Sequence, residues 1–316
     1  MNARRITIAC PVHDEEEVAP QLLARSLAVL DGIPGGPHEL LIVDDGSRDG
    51  TLALLEAKAA TDPRITVVSL TRNFGHQAAM SAAVDHAAGD VVLLMDGDLQ
   101  DPPEALPSLL ARMDEGFDVV YVRRVRRKES WPLRLLYFMA YRLIAQFSRP
   151  TLPLDAGDFA LMSRRAVDAL RGLPERQRYL RGLRSWVGYR QTAVAVERAA
   201  RAGGRPKYSL RRLLGLALDG VFAFSTAPLR LIGVLGGLTL LLSVGFAIYA
   251  VFAKFFLDQS PQGFTALTVL GTMVGGMILL SLWIIGEYIG RIYEEVKARP
   301  VYLVSRITRE RTVHKS

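Results

Sequence analysis

The 316-residue sequence contains a single cysteine, Cys10. One thiol cannot close a disulfide within the chain, so the small secreted folds that depend on such staples are excluded. Cys10 lies in an apolar run and reads as a small core residue. Histidine is scarce, with 5 in the chain. His13, His38, His76 and His86 show none of the short spacings of a zinc site. Near the N-terminus, Arg4 and Arg5 precede only a short apolar stretch before His13, Asp14 and a run of glutamates, so no signal peptide is expected. The most telling absence is charge. No Asp, Glu, Lys or Arg occurs between residues 231 and 253, or between 264 and 286, although 22% of the whole chain is charged. Each run is long enough to cross a hydrocarbon layer of ~30 Å as a helix. A pair of buried helices in a soluble core is the weaker reading, because uninterrupted apolar runs of this length are rare there.

The formal net charge is +7, and its placement decides against nucleic acid as the partner. Basic residues cluster at 123–149, 164–212 and 291–315, close to the apolar runs. Lipid headgroups and phosphate-bearing small molecules account for that pattern better than a duplex does. Arg230 precedes the two runs and Arg291, Lys297 and Arg299 follow them, while the loop between holds one lysine, Lys254. The positive-inside rule then predicts a transmembrane hairpin with both flanks, and hence both termini, on the cytoplasmic side of a bacterial inner membrane. Gly233 with Gly237 and Gly271 with Gly275 are spaced to permit close helix contact, within the hairpin or between subunits. The expected organisation is a cytoplasmic domain at 1–208, a juxtamembrane amphipathic helix at 209–228, the two-helix hairpin at 229–286 and a cytoplasmic tail at 287–316. Segment 131–147 reads equally well as an interfacial helix or a core helix. A strand-like stretch at 300–304 in the tail is suited to docking on the domain or on a neighbouring subunit.

Residues 4–122 alternate short apolar runs with helical segments. Strands are expected at 5–12, 39–43, 65–69, 91–95 and 119–122, and helices at 16–31, 51–61, 76–88 and 104–115. This is the pattern of an α/β domain with a Rossmann-like, mainly parallel sheet. Ligands of such sheets bind beyond the carboxyl ends of the strands, where Asp44, Asp45, Asp96 and Asp98 fall. In Asp96-Gly97-Asp98 two carboxylates two residues apart can approach one divalent cation, with Gly97 allowing the tight turn. A hard ion such as Mg²⁺ or Mn²⁺ held there would bridge diphosphate oxygens and neutralise a leaving group.

Four segments carry a family likeness: Pro11-Val12-His13-Asp14-Glu15-Glu16, Val43-Asp44-Asp45-Gly46-Ser47, Arg72-Asn73-Phe74-Gly75-His76-Gln77 and Asp96-Gly97-Asp98-Leu99-Gln100-Asp101-Pro102. They resemble the family 2 glycosyltransferases, in particular the polyprenyl-phosphate glycosyltransferases such as dolichol-phosphate mannosyltransferase and bactoprenol glucosyltransferase. The likeness runs from about residue 5 to 228 and continues into the paired spans. It implies a GT-A fold and a membrane enzyme that moves a sugar, with inversion, from a nucleotide-sugar donor to a polyprenyl phosphate such as undecaprenyl phosphate. UDP-glucose is the first expectation for the donor, ahead of UDP-linked aminoarabinose and GDP-mannose. The related membrane enzymes form oligomers, so a homo-oligomer, with a tetramer among the options, is implied as well.

The resemblance also implies roles for matching positions. Pro11, Glu15, Asp44 and Asp45 would line the nucleotide pocket. Asp96, Asp98 and Gln100 would hold the metal and the donor diphosphate. Asp158 matches the family's proposed catalytic base. Arg123, Arg126 and Arg134, with Arg201 and Lys207, fall where acceptor phosphate and diphosphate are handled. A phosphomonoester has a second pKa near ~6, so the attacking oxygen is already ionised at neutral pH. Asp158 is thus as well suited to orienting the acceptor, or to stabilising positive charge on the sugar, as to removing a proton. Two departures from the family pattern bear on specificity. Asp14-Glu15 stands where Asn-Glu is usual, and Gly204-Arg205-Pro206-Lys207-Tyr208 gains a cation where relatives carry a glutamate. A processive polysaccharide synthase would show a Gln-x-x-Arg-Trp motif after Asp158, for which Arg184-Ser185-Trp186 is only a partial match. An inactive sugar-nucleotide sensor is disfavoured by the retained Asp96, Asp98 and Asp158.

Overall fold

The computed structural model describes residues 4–124, 156–176, 178–196, 227–256 and 263–309. These fall into two compact units, one holding the sheet with its helices and the other holding two long helices.

The first unit is built on strands β1 (Ile6–Val12), β2 (Glu39–Asp44), β3 (Ile65–Leu70), β4 (Val91–Leu94), β5 (Val119–Arg124), β6 (Ala156–Ser163), β7 (Gln191–Val196) and β8 (Val304–Thr308). Every residue of β1 to β4 is buried, as expected of strands covered on both faces. Helices α1 (Ala19–Asp31), α2 (Thr51–Ala59), α3 (His76–His86), α4 (Leu106–Asp114), α5 (Arg164–Arg171) and α6 (Leu180–Trp186) connect and flank them. The expected strands and helices between residues 5 and 122 all form, with shifted ends. Helix α1 begins at Ala19 rather than 16 because Val18 and Ala19 donate backbone bonds to the Glu15 carbonyl, closing a turn first. Pro20, which has no N–H to lose, then occupies the first helical turn. Before α4, Pro103–Ala105 forms a separate 3₁₀ turn.

The sheet order is β7-β5-β6-β4-β1-β2-β3-β8. It is mixed but mainly parallel, with six of the eight strands running one way and β6 and β8 the other. Strands β4-β1-β2-β3 and the pair β5-β7 are parallel, but β6 runs antiparallel to both β4 and β5, and β8 is antiparallel to β3. Strands β6 and β7 lie beyond the expected set. The tail strand β8 lies at 304–308 and seals the β3 edge, which would otherwise present unpaired backbone groups. At the opposite ends of the strands, the buried Glu39 carboxylate accepts from Thr7 Oγ1 at 2.7 Å, Thr66 Oγ1 at 3.1 Å and the Ala88 N–H at 3.0 Å, which offsets its desolvation.

The second unit contains α7 (Ala227–Phe256) and α8 (Gly263–Val296). Their large apolar side chains are exposed, Leu241 at 70% and Leu279 at 69% among them. Water does not tolerate so large an apolar surface, whereas lipid does. Among the described residues one segment, Met273–Val296 of α8, is both long and apolar enough to cross a membrane, and Leu231–Phe246 of α7 is a shorter apolar run. Among the described residues, a Cβ at Gly233, Gly237, Gly271 or Gly275 would meet nothing within 4 Å. Segments 131–147 and 209–226 lie outside the described residues.

Candidate active site

The carboxyl ends of β1, β2 and β4 converge, and the loops that follow are laced together. Asp14 Oδ1 accepts the Arg48 N–H at 2.7 Å, the Asp14 N–H donates to Ser47 Oγ at 3.0 Å, and Glu16 Oε2 accepts the Gly50 N–H at 2.9 Å. Glu15, half-buried, donates its N–H to Thr51 Oγ1 at 3.0 Å. Pro11 is buried within β1. Asp44 is fully buried and accepts the Ser47 N–H with both oxygens at 3.3 Å; burial pushes its carboxyl above the ordinary range, opposed by Ser47. Asp45 splits its oxygens between the Phe74 N–H at 2.8 Å and the Gly75 N–H at 3.0 Å. It therefore fixes the loop that launches α3.

Gly97 is required for a close approach. A Cβ there would stand 2.6 Å from the Pro11 carbonyl oxygen and 2.6 Å from Val12 Cγ1, so only glycine lets the Asp96–Asp98 turn lie against the end of β1. Asp98 Oδ1 accepts the Gln100 N–H at 3.1 Å, which tightens that turn.

The antiparallel strand β6 brings in Asp158. The register pairs Leu94 with Ala160, and extending it two residues sets Asp96 opposite Asp158. From α3, His76 points between them, with Nε2 3.4 Å from Asp96 Oδ1 and 3.8 Å from Asp158 Oδ2. Ligand atoms of His76, Asp96 and Asp158 lie within 4.8 Å of one another. Among the described residues this trio of His76, Asp96 and Asp158 could share a metal ion. Sequence spacing hid His76 because its neighbours are brought to it by the fold.

The two carboxylates differ sharply. Burial pushes the Asp96 carboxyl up to about 6, with attraction to His76 opposing and the charges of Asp158, Asp101 and Asp98 adding. Its Oδ1 is buried and accepts no hydrogen bond from the described residues. Asp158 is more buried still, which by itself would raise its pKa, but His76 and Arg181 overcome this and hold it well below the carboxylate range. The decisive contact is bidentate: Arg181 Nε donates to Oδ1 at 2.8 Å and Nη2 to Oδ2 at 2.6 Å. His76, drawn mainly by Asp158, is raised above its ordinary value. Arg184 lies behind, its Nη2 donating to the Gly157 carbonyl at 3.2 Å and its guanidinium 5.2 Å from the Tyr121 ring; burial pushes it down to about 10. Neither Arg181 nor Arg184 is marked for this site by its local sequence, since arginine on a seven-residue helix carries no local signal.

Arg123 is exposed on β5, paired in register with Ala156 just before Gly157 and Asp158. Arg126, Arg134, Arg201 and Lys207 lie outside the described residues.

This arrangement fits a divalent cation on its own chemistry. A buried carboxylate oxygen without a donor, beside a second carboxylate and an imidazole, is a site that a positive ion would relieve.

Residues 7–171 match the family described as glycosyl transferase family 2. An uncharacterized glycosyltransferase of Synechocystis sp. is 42% identical over 301 residues, covering 95% of this chain and 94% of its own. The SfII prophage-derived bactoprenol glucosyl transferase of Shigella flexneri is 35% identical over 303 residues, covering 96% and 98%. Among solved structures, glucosyl-3-phosphoglycerate synthase from Mycobacterium tuberculosis, in complex with Mn²⁺, uridine diphosphate and phosphoglyceric acid, has a TM-score of 0.50 and 22% identity over 69% of this chain and 76% of that one. That likeness is one of fold. With the strand-end carboxylates, the mixed sheet and near full-length kinship in agreement, the chain belongs to glycosyl transferase family 2 and is a glycosyltransferase enzyme.

Proposed function

We propose that the enzyme transfers a sugar, glucose from UDP-glucose being the first expectation, onto a polyprenyl phosphate such as undecaprenyl phosphate, with inversion at the anomeric carbon. The observation that carries this reading is the opposition of Asp96 and Asp158 across β4 and β6, at the open strand ends of a chain akin to bactoprenol glucosyl transferases throughout its length. The exposed apolar surface of α7 and α8 supports a lipid-borne acceptor, because it keeps the chain where such an acceptor resides.

In the proposed reaction an ionised phosphate oxygen of the acceptor forms a bond to the anomeric carbon as the bond from that carbon to the nucleotide diphosphate breaks. Asp158 is poorly suited to accept a proton, since a general base works best with a pKa near the operating pH and His76 and Arg181 together hold this carboxyl far below it. Its permanent charge suits it instead to aligning the acceptor or to stabilising the positive charge that develops on the sugar. Arg181 keeps that charge in a fixed orientation. Pro11, Glu15 and Asp44 are assigned to the nucleotide, Asp45 to holding the adjoining loop, and Arg123 to the acceptor phosphate, with Arg126, Arg134, Arg201 and Lys207 completing the cationic set. Asp96, with His76 and Asp158 and with Asp98 and Gln100 on the adjoining turn, would hold Mg²⁺ or Mn²⁺. When bound, such an ion supplies positive charge to the departing diphosphate.

The catalytic unit and both termini are assigned to the cytoplasmic side, with α7 and α8 as a hairpin of two spans in a homo-oligomer. The flanking charges of the apolar runs support that topology. Donor choice is tested by supplying full-length protein in detergent with undecaprenyl phosphate and a panel of labelled UDP- and GDP-sugars. Glucose is expected to be incorporated at least tenfold faster than mannose; preference for a GDP-sugar would overturn the donor assignment, and transfer only to a water-soluble polymer would overturn the acceptor.

A further inference from the structure

Helix α3 faces the site with one end and the chain's tail with the other. Its first turn supplies His76 and Gln77, and its last supplies Asp85 and His86. Asp85 accepts from Arg178 Nη1 at 3.2 Å (Oδ1) and 3.4 Å (Oδ2). The same guanidinium donates from Nε to the Glu175 carbonyl at 3.3 Å and from Nη2 to the Leu173 carbonyl at 3.1 Å. All three nitrogens of Arg178 are thus engaged, and its side chain is only 12% exposed. It folds the segment before α6 around itself and ties that segment to α3. Helix α6 starts two residues later. There the Leu180 N–H donates to Gln77 Oε1 at 3.3 Å, and the next residue is Arg181, which grips Asp158.

The tail reaches the same point from the other side. Tyr302 follows the end of α8 by six residues, and its hydroxyl donates to Asp85 Oδ2 at 3.0 Å. The Thr71 N–H donates to the Leu303 carbonyl at 2.9 Å, and Arg176 donates to the Arg299 carbonyl. Burial and the Asp85 charge push the phenol up, so the hydroxyl remains a donor at working pH. A carboxylate held by one long charged contact alone can rotate; a second donor on Oδ2 fixes its plane.

We propose that Tyr302 and Asp85 are positioning residues for the transfer reaction. Tyr302 orients Asp85, Asp85 orients Arg178, and Arg178 sets the start of α6 so that Arg181 lies against Asp158. The chain leaving the membrane-spanning segment thereby sets the geometry of the catalytic carboxylate. The inference rests on the sugar-transfer reading for its kinetic consequence, but not for its structural one.

The test is Tyr302→Phe in the full-length protein, which removes one oxygen. Hydrogen–deuterium exchange should speed up by about threefold or more in peptides covering 178–186, with peptides from β1 and α1 unchanged, because loss of a hydrogen bond to a charged group loosens what it held. With undecaprenyl phosphate and UDP-glucose, kcat should fall about 3- to 10-fold while KM for the donor stays within about twofold. Asp85→Asn, which keeps the side chain's shape, should reproduce both effects if the phenylalanine variant fails to fold. Unchanged exchange in 178–186, faster exchange throughout the domain, or an unchanged kcat would each overturn the proposal. Absence of lipid-linked product from the unmodified enzyme would overturn the sugar-transfer reading instead, and the exchange measurement would still decide whether Tyr302 governs α6.

Discussion

Asp96→Asn should stabilise the metal-free protein while destroying its activity. The folded-state carboxyl is raised to about 6, against about 3.9 in an unfolded chain. Below pH ~4 both states are protonated and the residue is neutral in its effect. As pH rises from there toward ~6, the unfolded chain gives up its proton first, so stability falls, and above ~6 the full penalty applies. A gap of roughly two units corresponds to about 3 kcal/mol, at 1.36 kcal/mol per unit. The side chain is 20% exposed, so that figure is an upper bound. Asparagine has no charge to desolvate, and for a domain of this size the gain amounts to roughly 5–10 °C in Tm. The assay is thermal unfolding of full-length protein in detergent with a chelator, at pH 4.5 and 7.5, followed by addition of Mn²⁺. The variant should melt higher than the unmodified protein at pH 7.5 and by only about a third as much at pH 4.5, and Mn²⁺ should raise the Tm of the unmodified protein alone. A variant that melts lower at pH 7.5 in chelator, with no Mn²⁺ effect on the parent, would refute the reasoning.

Further predictions follow from the same geometry. Asp158→Asn should lower kcat by at least about 100-fold, since Asp158 is assigned to the sugar and acceptor and also borders the proposed cation; unimpaired turnover would remove it from the chemistry. Gly97→Ala should destabilise the protein by ~1–3 kcal/mol, because the new methyl meets Pro11 and Val12 at 2.6 Å, and a chemical-denaturation curve with an unshifted midpoint would contradict the close approach. Cys10 is buried and its thiol is pushed up to about 12, chiefly by burial. It should resist a thiol reagent at pH 8 until denaturant is added, and rapid labelling of the native protein would show that β1 is not where it is placed.

Much of the fold was legible because the apolar runs of β1 to β4 are flanked by turn formers, and helices α1 and α4 carry one buried face. Strand β6 was not, for physical reasons. Its Gly157 and Asp158 are weak strand formers, and it pairs with β4 and β5 only through contacts distant in sequence. The same gap hid the architecture of the site. Asp96 and Asp158 could each be picked out by likeness to a family, but that they face one another depends on the β4–β6 register. His76 was set aside because metal-ligand spacing was sought along the chain, whereas the fold supplies Asp96 and Asp158 from two strands. Arg181 became visible only as the bidentate partner of Asp158.

The central claim is sugar transfer to a lipid phosphate by a cation-dependent site at Asp96 and Asp158. It is tested most directly by incubating full-length enzyme and its Asp96→Asn variant with labelled UDP-glucose, undecaprenyl phosphate and Mn²⁺, then extracting into organic solvent. Label is expected in the lipid fraction, requiring the acceptor, disappearing with chelator and absent from the variant. Label appearing only as water-soluble glucose or polymer, or an Asp96→Asn variant as active as its parent, would contradict it.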